Sequence, residues 1–330
     1  MTSLETSTVR DRITFTKLGL GCAQFGNLFH ETTDEACTEA VLQSWNSGVR
    51  YFDVAPHYGL GLGERRLGQA IKSLPREEIV VSTKVGRVLV PSPETADRQD
   101  EQGFVVPANV KRVFDYSRDG IMRSFEDSLK RMDLDYIDIL YLHDPDDYWE
   151  SASTTGVQAL IELRDQGVVK AIGAGMNQHE MLTKFVNETD IDLVMLAGRF
   201  TLLEQGALTQ LLPSAIKRKV GIVNVGVYNS GLLSKARPSQ GANYNYAPAS
   251  QEILARVHQI ADVCEEFGVT LPEAAIAYVQ LHPAVCSVVL GARDGDQAQA
   301  NAIRFGKEIP VELWKKLSEK GLIVDPELFN

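Results

Sequence analysis

Two hydrophobic rhythms alternate along the chain. Short runs of mostly apolar residues at 18–22, 49–54, 79–84, 136–144, 168–174, 191–197, 221–227 and 285–290 are each set off by glycine, proline or polar residues. Such runs predict strands buried on both faces. Between them apolar residues recur every three or four positions, as in Ala36, Ala40, Val41 and Trp45 or in Ile121, Phe125 and Leu129. That spacing predicts helices with one apolar stripe. Thr33, Asp34 and Ser117 offer capping oxygens just ahead of two of these stripes, and Pro272 suits the first turn of a later helix. Repeated strand–helix units imply a parallel sheet covered on both faces, and eight of them close into an α/β fold, a (β/α)8 TIM barrel, without exposed edges. An open, doubly wound sheet is the alternative. The barrel is favoured because Asp53, Lys84, His143, Asn177 and Arg199 interrupt the apolar pattern at the carboxyl ends of strands, the end where barrels carry their active sites. The reading is therefore a single barrel domain, residues 1–330, with two long loops at its mouth, about 85–116 and 228–250.

Composition narrows the class. With 44% hydrophobic and 23% charged residues the 330-residue chain has ample material for a core. A net charge of −11 without a Lys/Arg-rich block argues against nucleic-acid or anionic-membrane partners. The polar first twelve residues lack a signal peptide's apolar segment, and no apolar run reaches membrane-spanning length, so a cytoplasmic location is expected. Four scattered cysteines, Cys22, Cys37, Cys264 and Cys286, read as reduced thiols and offer no zinc-ligand spacing. No metal site and no particular oligomeric state are read from the sequence.

The stretch GVRYFDVAPHYG at 48–59 organises the chemistry: one strand end delivers Asp53, His57 and Tyr58 into a loop. A buried Asp53 requires a cation, and the strand at 79–84 ends in Lys84. The strand at 136–144 brings His143 to the corresponding place. A phenol, with an ordinary pKa of about 10, exchanges protons at neutral pH only if a nearby cation stabilises its phenolate. Lys84 can do this for Tyr58, Asp53 can hold the ammonium, and His143 can orient a substrate oxygen. Such a set suits proton transfer at oxygen and has no good nucleophile. Proton transfer at oxygen is half of an alcohol–carbonyl redox reaction, and the hydride must then come from a cofactor, for which a nicotinamide is the obvious choice. Against this stands a purely structural Asp53–Lys84 ion pair, with His143 merely ending a strand before Asp144 and Pro145. A dinucleotide reading of Gly59-Leu60-Gly61-Leu62-Gly63 is set aside, because the spacing is not GxGxxG and a loop separates it from the strand; close packing under a helix is the expected use.

Together Asp53, Tyr58, Lys84 and His143 resemble the catalytic tetrad of the aldo-keto reductases, and the resemblance runs over about residues 17–305. The stretches AGRFTLLEQ at 197–205 and YNSGLL at 228–233 are similar to the branch holding D-threo-aldose 1-dehydrogenases (L-fucose dehydrogenases), L-galactose dehydrogenases and pyridoxal 4-dehydrogenase. The resemblance implies a nicotinamide dinucleotide across the barrel mouth, touched by Gly21, Cys22, Asp53, Asn177, Tyr228, Ser230, Leu232, Gly291, Ala292, Arg293, Gln297 and Asn301. It implies a small-molecule substrate beside His57, Tyr58 and His143. Gly175-Met176 stands where many members have Ser-Asn, and Ala197 where they have glutamine, so the carboxamide must be held differently. Gly291, Ala292 and Gln297 occupy the positions that carry Lys, Ser and Arg in NADP-preferring members. With Asp294 and Asp296 adjacent, NAD is expected, and Arg293 leaves room for weaker NADP use. The branch further implies oxidation of a cyclic hemiacetal to a lactone, with an L-fucose-type aldose ranked ahead of pyridoxal. The long loops offer polar contacts (His57, Arg87, Asn109) and aromatic ones (Phe104, Trp149, Tyr244) to either. The family also extends to potassium-channel β-subunits, a regulatory class that an intact tetrad does not exclude, although the long mouth loops look like substrate coverage. A Schiff-base aldolase using Lys84 is weaker still, since Asp53 would keep that lysine protonated.

Overall fold

A computed structural model describes residues 4–239, 241–245 and 247–329. Eight parallel strands close into a barrel: β1 (Leu18–Gly21), β2 (Tyr51–Asp53), β3 (Val80–Val85), β4 (Ile139–His143), β5 (Ala171–Met176), β6 (Leu193–Ala197), β7 (Gly221–Val225) and β8 (Val285–Gly291), with β8 pairing back onto β1. The apolar runs at 168–174 and 191–197 enter the sheet two or three residues later than their patterns suggest, because residues 168–170 and 191–192 lie outside the ladder. Helices cover the outside, among them α1 (Asp34–Asn46), α2 (Leu62–Ile71) and α3 (Arg118–Met132). Thr33 and Ser117 cap α1 and α3 by accepting from the amides of Ala36 and Gly120. Among the described residues no helix is long and apolar enough to cross a membrane.

Two apolar layers hold the fold. One lies between the strands and the helices. The other fills the barrel itself with Tyr51, Val80, Ile139, Tyr141, Leu193, Met195, Val223 and Val289, and is closed from below by Val9, Ile13 and Phe15. Those three belong to an antiparallel hairpin, Thr6–Val9 with Ile13–Thr16. Its first strand is too polar to read from the pattern, since it buries only Val9 of its four residues.

The mouth loops differ from expectation. Residues 85–116 are not structureless: Arg87–Pro91 pairs antiparallel with Val110–Phe114. The charges on Arg87, Lys111 and Arg112 and the terminal Pro91 hide this alternation. At the hairpin's far end Phe104 and Val106 pack with Leu60 in a small cluster of their own, touched by Tyr58. Among the described residues of 228–250 the one ladder is two residues long, Asn243–Tyr244 with Ala247–Pro248. Arg199 does not reach into the mouth. It donates to Asn245 Oδ1 at 2.9 Å and so ties the β6 end to this loop.

Candidate active site

In a strand, side chains alternate between faces. Asp53, Lys84 and His143 all point into the barrel from the carboxyl ends of β2, β3 and β4, and are 3%, 2% and 5% exposed. Asp53 faces Ser82 across the β2–β3 ladder, and Lys84 faces Tyr141 across β3–β4. Tyr58 follows on the β2 loop, which is pinned from both sides. A Cβ on Gly63 would crowd the Cβ and carbonyl oxygen of Tyr58 at 3.2 Å, and buried Glu64 accepts from Thr83 Oγ1 (2.7 Å) and from Arg131. The glycine-rich stretch is thus used for close packing.

The ammonium of Lys84 donates to Asp53 Oδ2 (2.7 Å), to the Val54 carbonyl (3.0 Å) and to the Tyr58 hydroxyl (3.2 Å). Burial disfavours the charge on Lys84, but Asp53 and the Tyr58 oxygen outweigh it and its pKa is raised. For Tyr58 the balance falls the other way: burial pushes its phenol up to about 12 against the pull of Lys84. Lys84 thus pulls Tyr58 toward the phenolate, while desolvation of the buried oxygen pulls further the other way. His143, 6.1 Å from the Tyr58 ring between centroids, is held well below the usual imidazole pKa by burial and then by Arg87 and Lys84. It is a neutral ring that can donate to an oxygen beside the phenol.

Below the tetrad runs a chain of hydroxyls. Ser82 Oγ lies 2.6 Å from Asp53 Oδ1 and 3.0 Å from the Tyr51 hydroxyl, which lies 3.2 Å from that of Tyr141. A carboxylate only accepts, and a serine has one proton, so the directions follow. Ser82 donates to Asp53, Tyr51 to Ser82, and Tyr141 to Tyr51. Sequence reasoning missed all three, yet each stands two residues before a tetrad member on its strand, the spacing that puts both on one face.

A cavity of about 760 Å³ opens over these groups. His57, Tyr58, Lys84, Arg87, Phe104, His143 and Asp144 form one side. Asn109, Trp149 and Tyr244 do not line it: Asn109 is exposed, and Trp149 packs edge-on against Phe185, 4.9 Å between centroids. Phe29, Glu101 and Gln102 line it without having been foreseen. Of the residues assigned to a cofactor, Gly21, Cys22, Asp53, Asn177 and Gly291 lie on its walls, while Tyr228, Ser230, Leu232, Ala292, Arg293, Gln297 and Asn301 lie outside them. The two groups are joined: the Tyr228 hydroxyl donates to Asn301 Oδ1 (3.2 Å), and Asn301 Nδ2 donates to the Gly291 carbonyl (3.1 Å). The Cys22 thiol is buried and engaged with the Leu20 carbonyl at 3.9 Å. Asn177 Nδ2 donates to the Ala197 carbonyl (3.1 Å), which leaves its oxygen for a ligand.

The residues present fit a nicotinamide dinucleotide. Gly21, Gly175, Gly226 and Gly291 give the cavity walls without side chains, and the nearest atoms to an added Cβ on Gly175 are those of Met195 and the Lys84 stem, at 3.3 Å and beyond. Beyond them, Arg293 Nε is buried with no partner among the described residues, a donor that an anion would satisfy.

An acid–base set at the carboxyl end of a (β/α)8 barrel, under a glycine-walled cavity, defines a class of barrel oxidoreductases. The sequence profile of the aldo/keto reductase family matches residues 17–321, and the chain belongs to that family, whose members bind nicotinamide cofactors. It is 41% identical to the D-threo-aldose 1-dehydrogenase of a Pseudomonas species, over 99% of this chain and 100% of that one. It is 38% identical to the pyridoxal 4-dehydrogenase of Microbacterium luteolum, over 95% and 96%. In fold it matches the holo form of an aldo-keto reductase from Bacillus halodurans with a TM-score of 0.74 at 23% identity, covering 98% of this chain and 97% of the other.

Proposed function

We propose that this chain, acting as one barrel domain, is an NAD-dependent dehydrogenase that oxidises a cyclic hemiacetal to a lactone, with an L-fucose-type aldose as substrate. The observation that carries this reading is the 3.2 Å contact between Lys84 Nζ and the Tyr58 hydroxyl on the floor of the cavity, beside a neutral His143. Tyr58 takes the proton of the anomeric hydroxyl, Lys84, its ammonium held in place by Asp53, stabilises the phenolate it must be at that moment, and His143 donates to the same substrate oxygen. When bound, an oxidised nicotinamide supplies the hydride acceptor at C1 and a positive charge that works with Lys84 on Tyr58. Gly21, Asn177 and Gly291 would hold it, the Asn177 oxygen serving the carboxamide that Met176 and Ala197 cannot.

NAD is favoured over NADP because Gly291, Ala292 and Gln297 offer no cation at the rim, while Arg293 beside them would allow weaker NADP use. Asp294 is the cap of the following helix, accepting from the Gln297 amide at 2.8 Å, so exposed Asp296 carries the repulsion of a 2′-phosphate. Pyridoxal is the second reading, favoured by the aromatic walls Phe29 and Phe104 and by the 38% identical relative.

The test supplies L-fucose, D-arabinose, L-galactose and pyridoxal with NAD or NADP and identifies the products. A lactone supports the reading. Activity confined to reducing open-chain aldehydes or ketones overturns it, and cofactor binding without any turnover points to the regulatory class.

A further inference from the structure

Arg87 reaches from the mouth hairpin to two neighbours. Its Nη2 donates to Asp144 Oδ2 at 2.5 Å, and its Nη1 lies 3.3 Å from His57 Nδ1. A guanidinium has no acceptor, so Nδ1 must accept. The ring is then neutral with its proton on Nε2, a tautomer fixed by the contact. The rest of the ring is held as well. It sits edge-on against Phe104 (5.1 Å between centroids) and His143 (5.4 Å), and the His57 carbonyl accepts from Arg112 Nη2 at 2.9 Å. Arg112 is itself chelated by buried Asp100 at 2.5 and 3.1 Å. Among the described residues nothing bonds Nε2 of His57, and His57 lines the cavity.

The charges around the ring keep it in this state. Arg87 and Arg112 face it from the two strands of the hairpin, Lys84 from β3, and the neutral His143 from β4; Asp144 and Asp100 are each committed to an arginine. Burial and these three cations hold His57 down to about 2.

We infer that Arg87 is a positioning residue: it locks His57 as a neutral Nε2–H donor, and this donor recognises a second substrate oxygen, on the carbon next to the one oxidised. The two rings, 5.4 Å apart, suit oxygens on neighbouring carbons, one held by His143 and Tyr58 and the other by His57. Given the hemiacetal reading on which it rests, the substrate class narrows to hemiacetals oxygenated at C2.

Two measurements test it. The first needs no substrate: ¹⁵N NMR of the imidazoles, with His57 assigned from a His57→Gln variant. In the native protein His57 is expected to carry its proton on Nε2 and to stay neutral from pH 8 to pH 5. In Arg87→Met it should become a mixture of tautomers, since the ring loses its donor, while burial, Arg112 and Lys84 still hold it below the ordinary imidazole value of about 6.5. Arg87→Lys, which keeps the charge without the fork, should stay neutral but lose the fixed tautomer, and it serves if Arg87→Met does not fold. A native Nδ1–H ring, or a tautomer unchanged in both variants, overturns the positioning role. The second compares kcat/KM for an aldose and its 2-deoxy analogue. The native enzyme should favour the 2-hydroxy sugar by about tenfold or more, and Arg87→Met should reduce that to within about threefold, mainly through KM. Equal use of both sugars by the native enzyme overturns the recognition role. Absence of any hemiacetal turnover removes it together with the reading beneath it, whatever the NMR shows.

Discussion

Gly26 and Gly59 pack backbone against backbone, with no room for a side chain on either. A Cβ on Gly59, whose φ is +61°, would overlap the Gly26 carbonyl, and one on Gly26 would overlap the Tyr58–Gly59 peptide. The contact presses the Tyr58 loop onto the turn Ala23–Gly26, next to the cavity wall. Gly59→Ala should therefore fold, with a lower melting temperature, and lose about tenfold or more in kcat, because a displacement near 1 Å at a reacting group can cost roughly 10²-fold. Circular dichroism with steady-state kinetics checks both parts; native kcat would mean that Tyr58 does not depend on this contact.

Tyr58→Phe removes only the proton-transfer oxygen. Turnover should fall by about 10² to 10⁴, with NAD affinity changed by no more than a few fold. Lys84→Met should behave alike. Tyr58→Phe turning over within about threefold of the native enzyme would refute the assigned acid–base role.

Because Tyr58 is pushed up to about 12, it is a phenol throughout the neutral range. Oxidation needs the phenolate, whose fraction below the pKa grows about tenfold per pH unit. The rate of oxidation should thus rise from pH 7 to pH 10, while reduction, which uses the phenol as acid, should stay flat. His57 and His143 are already neutral, so they should add no acid limb between pH 5 and 7. An oxidation rate that falls from pH 7 to pH 9 would contradict this assignment.

The hydroxyl chain ending on Asp53 gives a signed expectation. Its aligned dipoles draw on the carboxylate's charge, so more of the Lys84 charge is felt by Tyr58. Ser82→Ala removes the donor, leaves Asp53 to neutralise Lys84 more fully, and should move the alkaline rise of oxidation upward by roughly half a pH unit or more. Tyr141→Phe, at the far end, should move it less. An unchanged profile with lowered stability would mean that the chain only fills the barrel.

At the rim, Asp296→Ala should raise the efficiency with NADP relative to NAD by about tenfold, roughly 1.4 kcal/mol, by removing a like charge from the approach of a 2′-phosphate. Asp294→Ala should instead destabilise its helix, since its carboxylate is the cap. The ratio of kcat/KM values, with thermal melting, separates the two effects.

The barrel was legible because strands buried on both faces leave consecutive apolar residues, and the gathering of Asp53, Lys84 and His143 because these residues break those runs at one end. What stayed hidden has physical reasons. The hairpin Arg87–Pro91 with Val110–Phe114 stands out over the mouth, where solvent and ligand permit Arg87, Lys111 and Arg112 on its strands, so no apolar period marks it. Trp149 and Tyr244 read as substrate platforms from chain position alone, yet Trp149 is turned toward Phe185. Tyr51, Ser82 and Tyr141 were within reach: a polar residue two places before Asp53, Lys84 and His143 on each of three strands is a period-two signal inside the barrel.

The hairpin under the barrel has a practical side. Arg10, at its turn, donates to Asp190 Oδ1 (2.9 Å) and to the carbonyls of Arg218 and Lys219, so the chain is clamped across the end opposite the cavity. A linker attached ahead of Thr6 would leave from that clamped end. Fixed through it to an electrode or a resin, every molecule would turn its mouth toward the solution, an orientation suited to a sensor that reads sugar through the nicotinamide couple.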